Sequence, residues 1–147
     1  MTIYFYSSRD EYFEFSNFSR HGFTLEDKYW PTVEHYFQAK KFSGHPQEER
    51  IRTAPTPSKA KQLGRSRTAP LRADWEKVKD DIMRKAVLAK FRAHENLKKR
   101  LLGTGDEKLV ENAPKDYYWG CGKDGSGKNM LGKILMETRA FLESNAR

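Results

Sequence analysis

Apolar and polar positions follow each other along the chain with periods that predict a few short strands. Residues 2–7 are mostly β-branched and aromatic, which is typical of a strand. The phenylalanine-rich segment 13–19 predicts a short strand or turn. His21-Gly22 is expected to turn the chain, so that Phe23 to Leu25 pairs back as a hairpin. Further short strands are predicted at 108–111 and 117–119.

Helical spacing of apolar residues dominates the remainder. Helices are predicted from Pro31 to about Phe42, from 55–58 to about Gly64, from Asp74 to about Ala93 and over 96–102. A last helix follows the glycine-rich segment 120–129. The chain contains no repeat, no low-complexity tract and no linker, so the sequence predicts one domain over residues 1–147.

Composition narrows the class of ligand. The chain has 28 Lys and Arg against 20 Asp and Glu, a formal net charge of +8. This field attracts anions such as nucleic acid, nucleotides and phosphate esters, although a basic surface without a dedicated partner has the same composition. The single cysteine allows no internal disulfide, and neither a signal peptide nor a membrane span is visible. A cytoplasmic protein is therefore expected, and the four histidines lack the spacing of metal ligands.

The segment 30–42, WPTVEHYFQAKKF, carries the most informative polar residues. Glu34, Gln38 and Lys41 are spaced i, i+4, i+7 and so share one helix face. Aromatic and aliphatic residues occupy much of the remaining surface, which is typical of a buried helix. The three polar residues either form an ordinary solvent face or line a pocket.

The pocket alternative has specific chemistry. A lysine desolvated among aromatic residues has a lowered pKa and becomes a nucleophilic amine that can form a Schiff base with a sugar. A buried glutamate with a raised pKa can act as acid or base. Lys41 and Glu34 are the candidates, whereas Lys40 points about 100° away and is expected to be a surface residue.

The segment GCGKDGSGKN at 120–129 is either a flexible surface loop or a phosphate cradle at a helix N-terminus. It lacks the Walker A spacing, and its match to a dinucleotide fingerprint is in letters only. Trp119 either stacks on a base or packs in a core. The basic stretch 59–72 is either a solvated surface or a phosphate contact, and Arg65 is its best candidate for a phosphate.

Together these motifs resemble the NADAR family, also called YbiA-like. The specific blocks are W-x-T-x-E-H-x-x-Q-A-x-K-F at 30–42 and W-G followed by G-K-N-x-L-G at 119–132. Shorter matches include 4–7, 15–18, 64–65, 83–86 and 109–111. The resemblance implies a compact, mainly helical α+β domain with a small β-sheet that hydrolyses N-glycosidic bonds to ribose phosphates without a cofactor.

The resemblance also implies a substrate and a set of site residues. The substrate is ADP-ribose on guanine bases of nucleic acid, with an antitoxin-like pairing to a DNA ADP-ribosyltransferase toxin. By motif position, Lys41 forms the Schiff base, and Glu34 and Asp116 are the further catalytic candidates. The substrate-binding candidates are Ser7, Asn17, Trp30, Gln38, Arg65, Trp119, Gly120, Gly122, Gly127, Lys128 and Asn129.

Two alternatives remain open at this point. One is an N-glycosidase of phosphoribosyl pyrimidine intermediates of riboflavin biosynthesis, and the other is a non-catalytic module that binds ADP-ribose or nucleic acid. One departure concerns Cys121, which stands where some relatives carry an acidic residue after Trp-Gly. We expect this thiol to pack as a small apolar residue.

Overall fold

The computed structural model describes residues 1–145, and helices dominate this range. The α-helices are α1 (Val33–Ala39), α2 (Pro46–Arg52), α3 (Pro57–Arg65), α4 (Trp75–Ala93), α5 (Glu95–Gly103) and α6 (Met130–Asn145). The strands are β1 (Thr2–Phe5), β2 (Phe23–Leu25), β3 (Lys28–Trp30) and β4 (Lys108–Glu111). Short 3-10 helices lie at Phe13–Phe15 and Lys40–Phe42. The predicted α+β, mainly helical class is confirmed, with the strands in two two-stranded sheets.

The chain divides into two compact units. Unit 1 comprises Met1–Ser19 and His94–Arg147, and unit 2 comprises Arg20–Ala93. The single domain over residues 1–147 stays a prediction. Within the described range, no helix combines the length and the apolar character that crossing a membrane would require.

Unit 1 is built on the parallel pair of β1 and β4, in which Thr2 faces Lys108 and Phe5 faces Glu111. Helix α6 packs on β4, and its glycine at 132 allows the close approach. A Cβ on Gly132 would overlap the Leu109 carbonyl. The predicted strands at 2–7 and 108–111 and the helices at 96–102 and after 129 are confirmed in this unit.

Unit 2 places α1 at its centre, with α2, α3 and α4 packed against it. The predicted helices here are confirmed, although α1 gives way to the 3-10 turn after Ala39. Trp75, Met83 and Phe91 on α4 are buried.

The predicted hairpin has a different turn. Strand β2 pairs with β3, which follows it, and not with the segment before His21. The turn residues are Glu26 and Asp27, whose φ angles of 57° and 66° lie in the left-handed region. Two consecutive left-handed residues match the twist of a two-residue hairpin, although neither is the glycine or asparagine that usually marks such a turn.

Two other elements differ from the sequence prediction. Helix α2 was missed because Gln47 and Ile51 are its only buried residues, too few to give an apolar stripe. The predicted strand at 117–119 is wrong, since these residues form a bend. The Asp116 carboxylate accepts hydrogen bonds from the N–H groups of Tyr118 and Trp119, which curves the backbone there.

Candidate active site

Helix α1 is buried on every side, and a histidine fixes its first turn. The Thr32 hydroxyl accepts the N–H of His35 as an N-cap and donates to His35 Nδ1 at 2.8 Å. His35 Nε2 donates to the Ala54 carbonyl at 3.0 Å. Burial lowers the pKa of His35. Both ring nitrogens are used, so His35 holds α1 in place as a neutral residue.

Glu34 and Gln38 form a buried polar pair one turn apart on α1. Gln38 Nε2 donates to Glu34 Oε2 at 2.7 Å, and the two residues are only 5% and 7% exposed. The solvent-face alternative is therefore excluded. Burial raises the pKa of Glu34, against the opposing effects of the Gln38 hydrogen bond and of nearby positive charges. A raised pKa favours the protonated carboxyl group, which can deliver its proton to a leaving group.

Lys41 follows on the 3-10 turn and is 9% exposed. Its Nζ lies 5.8 Å from the ring centroids of both Phe37 and Trp75. Among residues 1–145, no carboxylate lies within ion-pair distance of this amine. Burial lowers the pKa of Lys41 to about 8, with a further contribution from Arg67. About a tenth of such an amine is neutral at pH 7, far more than of an ordinary lysine.

A positive rim near Lys41 consists of Lys61 and Arg65 on α3 and Arg67 just after this helix. Thr56 caps α3 by accepting the N–H of Lys59, and the helix ends at Arg65. The charges of Lys61, Arg65 and Arg67 all oppose protonation of Lys41. The side chain of Arg65 is exposed and makes no hydrogen bond or ion pair within the described residues, so its guanidinium is available to an anion.

Lys40 is a correction to the sequence analysis, because it is not a solvated surface residue. Only 17% of its side chain is exposed, and Nζ lies 2.8 Å from Glu48 and 3.0 Å from Glu26. It therefore ties α1 to α2 and to the β2–β3 turn.

Trp30, a predicted substrate contact, has no exposed surface. Its Nε1 donates to the Leu25 carbonyl at 3.0 Å, and its ring packs edge-on against Tyr36 with centroids 4.9 Å apart. The side chain is thus part of the core of unit 2 and has no surface to offer a ligand.

The remaining predicted site residues belong to unit 1. Asp116 Oδ1 accepts the N–H groups of Tyr118 and Trp119 at 3.0 and 2.8 Å. Trp119 is partly exposed and packs edge-on against Tyr118, with centroids 4.8 Å apart. The exposed Ser7 accepts the N–H of Arg9, and Asn17 is half-buried. Their roles toward a substrate stay predictions.

Backbone hydrogen bonds hold the glycine-rich segment 120–129 in place. The N–H groups of Gly122, Gly127, Lys128 and Asn129 donate to backbone carbonyls at 2.7–3.1 Å. The first two N–H groups of α6 donate to the carbonyls at 118 and 119. These donors are consequently not available to a phosphate, and at Lys128 only the exposed side chain can serve one.

Two residues of this segment have clear packing roles. Asn129 is 7% exposed; its Oδ1 accepts the N–H of Glu111 and its Nδ2 donates to the Leu109 carbonyl. Both ends of the amide are thus used on β4. A Cβ on Gly120 would lie 2.9 Å from that of Ala113, so this glycine permits close backbone packing. Cys121 is half-buried, with Sγ 3.4 Å from Asn112 Oδ1.

Sequence reasoning missed several contributors to the site. Trp75 is not among the predicted site residues, yet its ring borders the Lys41 amine. Lys61 and Arg67 were part of a basic stretch without individual roles. Their signal is the spacing around Arg65, since Lys61 lies four residues before it on the same face of α3.

Comparison with known proteins yields consistent matches. The family model described as NADAR domain matches residues 4–143. A Nostoc punctiforme protein named an N-glycosidase is 53% identical over 142 residues, covering 95% of this chain and 91% of the relative. The maize "Riboflavin biosynthesis protein PYRR, chloroplastic" is 40% identical, covering 94% of this chain and 25% of that protein.

A solved structure also matches. The NMR structure of Escherichia coli YbiA has a TM-score of 0.89 and 46% sequence identity. The match covers 99% of this chain and 89% of that structure's chain.

Proposed function

The chain belongs to the NADAR domain family, and on that premise we propose that it is an N-glycosidase in which the Lys41 amine attacks the anomeric carbon of a ribose. The observation that carries the proposal is the state of Lys41. It is buried beside two aromatic rings, no carboxylate of residues 1–145 forms an ion pair with it, and its pKa is about 8. The names of its relatives support the reaction class.

The first step breaks the base–ribose bond. Neutral Lys41 Nζ forms a bond to C1 of the ribose while the bond from C1 to the base nitrogen breaks with its electron pair. In the reactive form Glu34 carries a proton, which its raised pKa favours, and gives it to that nitrogen, so the base leaves neutral. The Glu34 carboxylate then takes the extra proton from Nζ.

The second step releases the sugar. Glu34 returns the proton to the ring oxygen as the ribose opens, and a protonated imine forms between C1 and Nζ. The carboxylate next removes a proton from a water molecule that attacks C1. Collapse of the adduct forms the C1–oxygen double bond and breaks the C1–Nζ bond, as Glu34 gives its proton to Nζ and takes the proton of the new hydroxyl group. The neutral lysine and the protonated Glu34 are restored, and the sugar leaves as the free aldehyde. These steps use only side chains of this chain and water.

The substrate we propose is guanine that carries ADP-ribose in nucleic acid. The support is electrostatic: a net charge of +8 and the rim of Lys61, Arg65 and Arg67 suit a diphosphate on a polyanion. The protein then acts as an antitoxin that reverses the product of a DNA ADP-ribosyltransferase.

A second candidate is a phosphoribosyl pyrimidine intermediate of riboflavin biosynthesis. It is favoured by two relatives, from maize and Vibrio vulnificus, that are named riboflavin biosynthesis proteins. The same lysine chemistry applies to it, because a ribose carbon bonded to nitrogen is attacked in both cases.

The test is turnover of each substrate by the wild type, Lys41→Ala and the matched control Lys40→Ala. We expect ADP-ribose to be released from ADP-ribosylated guanine DNA by the wild type and by Lys40→Ala only. Turnover of the phosphoribosyl pyrimidine alone would transfer the proposal to the second candidate. Binding of ADP-ribose with turnover of neither substrate would contradict the proposed enzymatic activity and favour a non-catalytic binding module.

A further inference from the structure

Gly64 on α3 lies against the side chain of Gln38 on α1. A Cβ built on Gly64 would overlap Gln38 Oε1 and would lie 2.7 Å from Gln38 Cδ and 2.9 Å from Gln38 Cβ. These separations are shorter than real Cβ contacts, and the obstructed atoms belong to a buried side chain. The amide of Gln38 therefore occupies the space that any other residue at 64 would take.

Only one end of the Gln38 side-chain amide is hydrogen-bonded within the described residues. Its Nε2 donates to Glu34 Oε2 at 2.7 Å, whereas its Oε1 is buried without a hydrogen-bond partner within residues 1–145. A buried amide oxygen without a partner is costly, so the site keeps this arrangement at the expense of stability. One hydrogen bond and the space at Gly64 determine where the amide lies.

We propose that Gly64 is the positioning residue of the Lys41 site, acting on Glu34 through the Gln38 amide. The inference rests on the proposed function for its catalytic consequence, though not for the geometry. The Gly64 carbonyl also accepts a hydrogen bond from Arg67 Nη1 at 2.9 Å. The same residue thereby anchors the guanidinium whose charge acts on Lys41.

The consequence for catalysis follows from the groups around Glu34. Lys61 and Arg65 on α3 and Lys41 on the 3-10 turn favour its ionised form, as does the Gln38 hydrogen bond, while burial opposes it. An alanine at 64 removes the hydrogen bond and leaves the burial. The pKa of Glu34 then rises further above its usual value.

The first experiment compares the pH dependence of kcat/KM for the wild type and Gly64→Ala. The reactive form has one proton shared between Glu34 and Lys41, so activity is lost when both groups are protonated. We therefore expect a bell-shaped profile whose acid limb follows the pKa of Glu34. In Gly64→Ala this limb moves to higher pH, and the maximum falls about 10- to 100-fold because the acid is misplaced. The matched control is Gly103→Ala, at a helical glycine with nothing within 4 Å of the added methyl group. Its profile should match the wild type, and an unmoved acid limb in Gly64→Ala would overturn the proposal.

A second pair of variants separates positioning from general damage to packing. Gln38→Ala vacates the space that a methyl group at 64 would enter. Gly64→Ala should therefore have no further effect on the profile in the Gln38→Ala background. An equal loss in both backgrounds would place the effect in the α3 backbone and overturn the proposal. The double variant also keeps the test available if Gly64→Ala alone does not fold.

An activity-independent readout distinguishes failure of this inference from failure of the proposed function. Nuclear magnetic resonance follows the Gln38 side-chain NH₂ signals and the titration of the Glu34 carboxyl carbon. Gly64→Ala should shift both, and Gly103→Ala neither. If the wild type turned over no substrate, the proposed function would fail while this comparison still decided the role of Gly64. Wild-type signals in Gly64→Ala would overturn the inference whatever the activity.

Discussion

Two consecutive lysines of unit 2, Lys40 and Lys41, lie in opposite electrostatic environments. Lys40 forms ion pairs with the carboxylates of Glu48 and Glu26. Burial alone would lower its pKa, but these two hydrogen-bonded partners outweigh burial and raise it. Lys41 has no such partner in the described part of the chain, and its pKa falls to about 8 through burial and nearby cations.

The comparison shows that burial does not by itself make a lysine nucleophilic. Both amines are withdrawn from water, and the presence or absence of carboxylate partners decides whether the pKa of the amine rises or falls. Lys40 holds elements of the fold together, and Lys41 keeps a reactive amine. This division is consistent with the general observation that a functional site gives up stability.

The largest expected effect is on turnover. Lys41→Met keeps the length and apolar stem of the side chain but removes the amine, so turnover should fall by at least about 10³-fold. Lys40→Met removes an amine from the adjacent position and should retain turnover within about tenfold. Steady-state kinetics with the wild type beside both variants measures the contrast. Equal losses in the two variants would contradict the assignment of Lys41 as nucleophile.

The second effect is a stability change of opposite sign in the same two variants. At pH 7, Lys41→Met should stabilise the protein by about 1–3 kcal/mol, because a desolvated charge is removed. Lys40→Met should destabilise it by about 1–2 kcal/mol, because Glu26 and Glu48 lose their cation. Urea unfolding at pH 7 gives both values.

The pH dependence of the same unfolding experiment checks the cause of the Lys41 effect. The pKa of Lys41 is about 8 in the folded protein, whereas the ordinary value of a lysine, which applies to the unfolded protein, is 10.5. Between pH 8 and pH 10.5 the unfolded wild type binds more protons than the folded wild type, so the free energy of unfolding of the wild type rises with pH in this window. The advantage of Lys41→Met should therefore shrink between pH 8 and 10.5. A constant advantage would mean that packing, not charge, produces it.

The third effect concerns the alkaline limb of the pH profile of kcat/KM. The reactive form has one proton shared between Glu34 and Lys41, so the profile should fall above about pH 8. Arg67→Ala removes a positive charge that lowers the pKa of Lys41, and the limb should move to higher pH. A rate that reached a plateau above pH 8 would instead indicate that Glu34 acts only as a base.

The smallest effect is at Lys40 itself. Glu26→Gln with Glu48→Gln removes both carboxylates and should lower the pKa of Lys40 toward that of Lys41. Carbon-13 dimethylation of the lysines lets nuclear magnetic resonance follow both titrations, with Lys41 as the internal reference. An unchanged pKa at Lys40 would show that its two carboxylates do not set its charge state.

The sequence predicted that Glu34, Gln38 and Lys41 share one side of the segment formed by α1 and the following 3-10 turn, because helical periodicity is a local property. It did not predict the partners of Lys40, since Glu26 lies on a hairpin turn and Glu48 on a helix without an apolar stripe. The interpretation of the glycine-rich segment was limited for a related reason. Glycines suit close packing of backbones as well as phosphate binding, and local sequence does not distinguish the two.

Trapping of the imine tests the central claim most directly. The wild type is mixed with ADP-ribosylated guanine DNA and, separately, with the phosphoribosyl pyrimidine, in the presence of borohydride, which reduces an imine to a stable amine. Peptide mass spectrometry then locates the sugar adduct. We predict an adduct on Lys41 and none on Lys40, lost in Lys41→Met and retained in Lys40→Met. Turnover without any adduct, or an adduct that persists in Lys41→Met, would contradict the account.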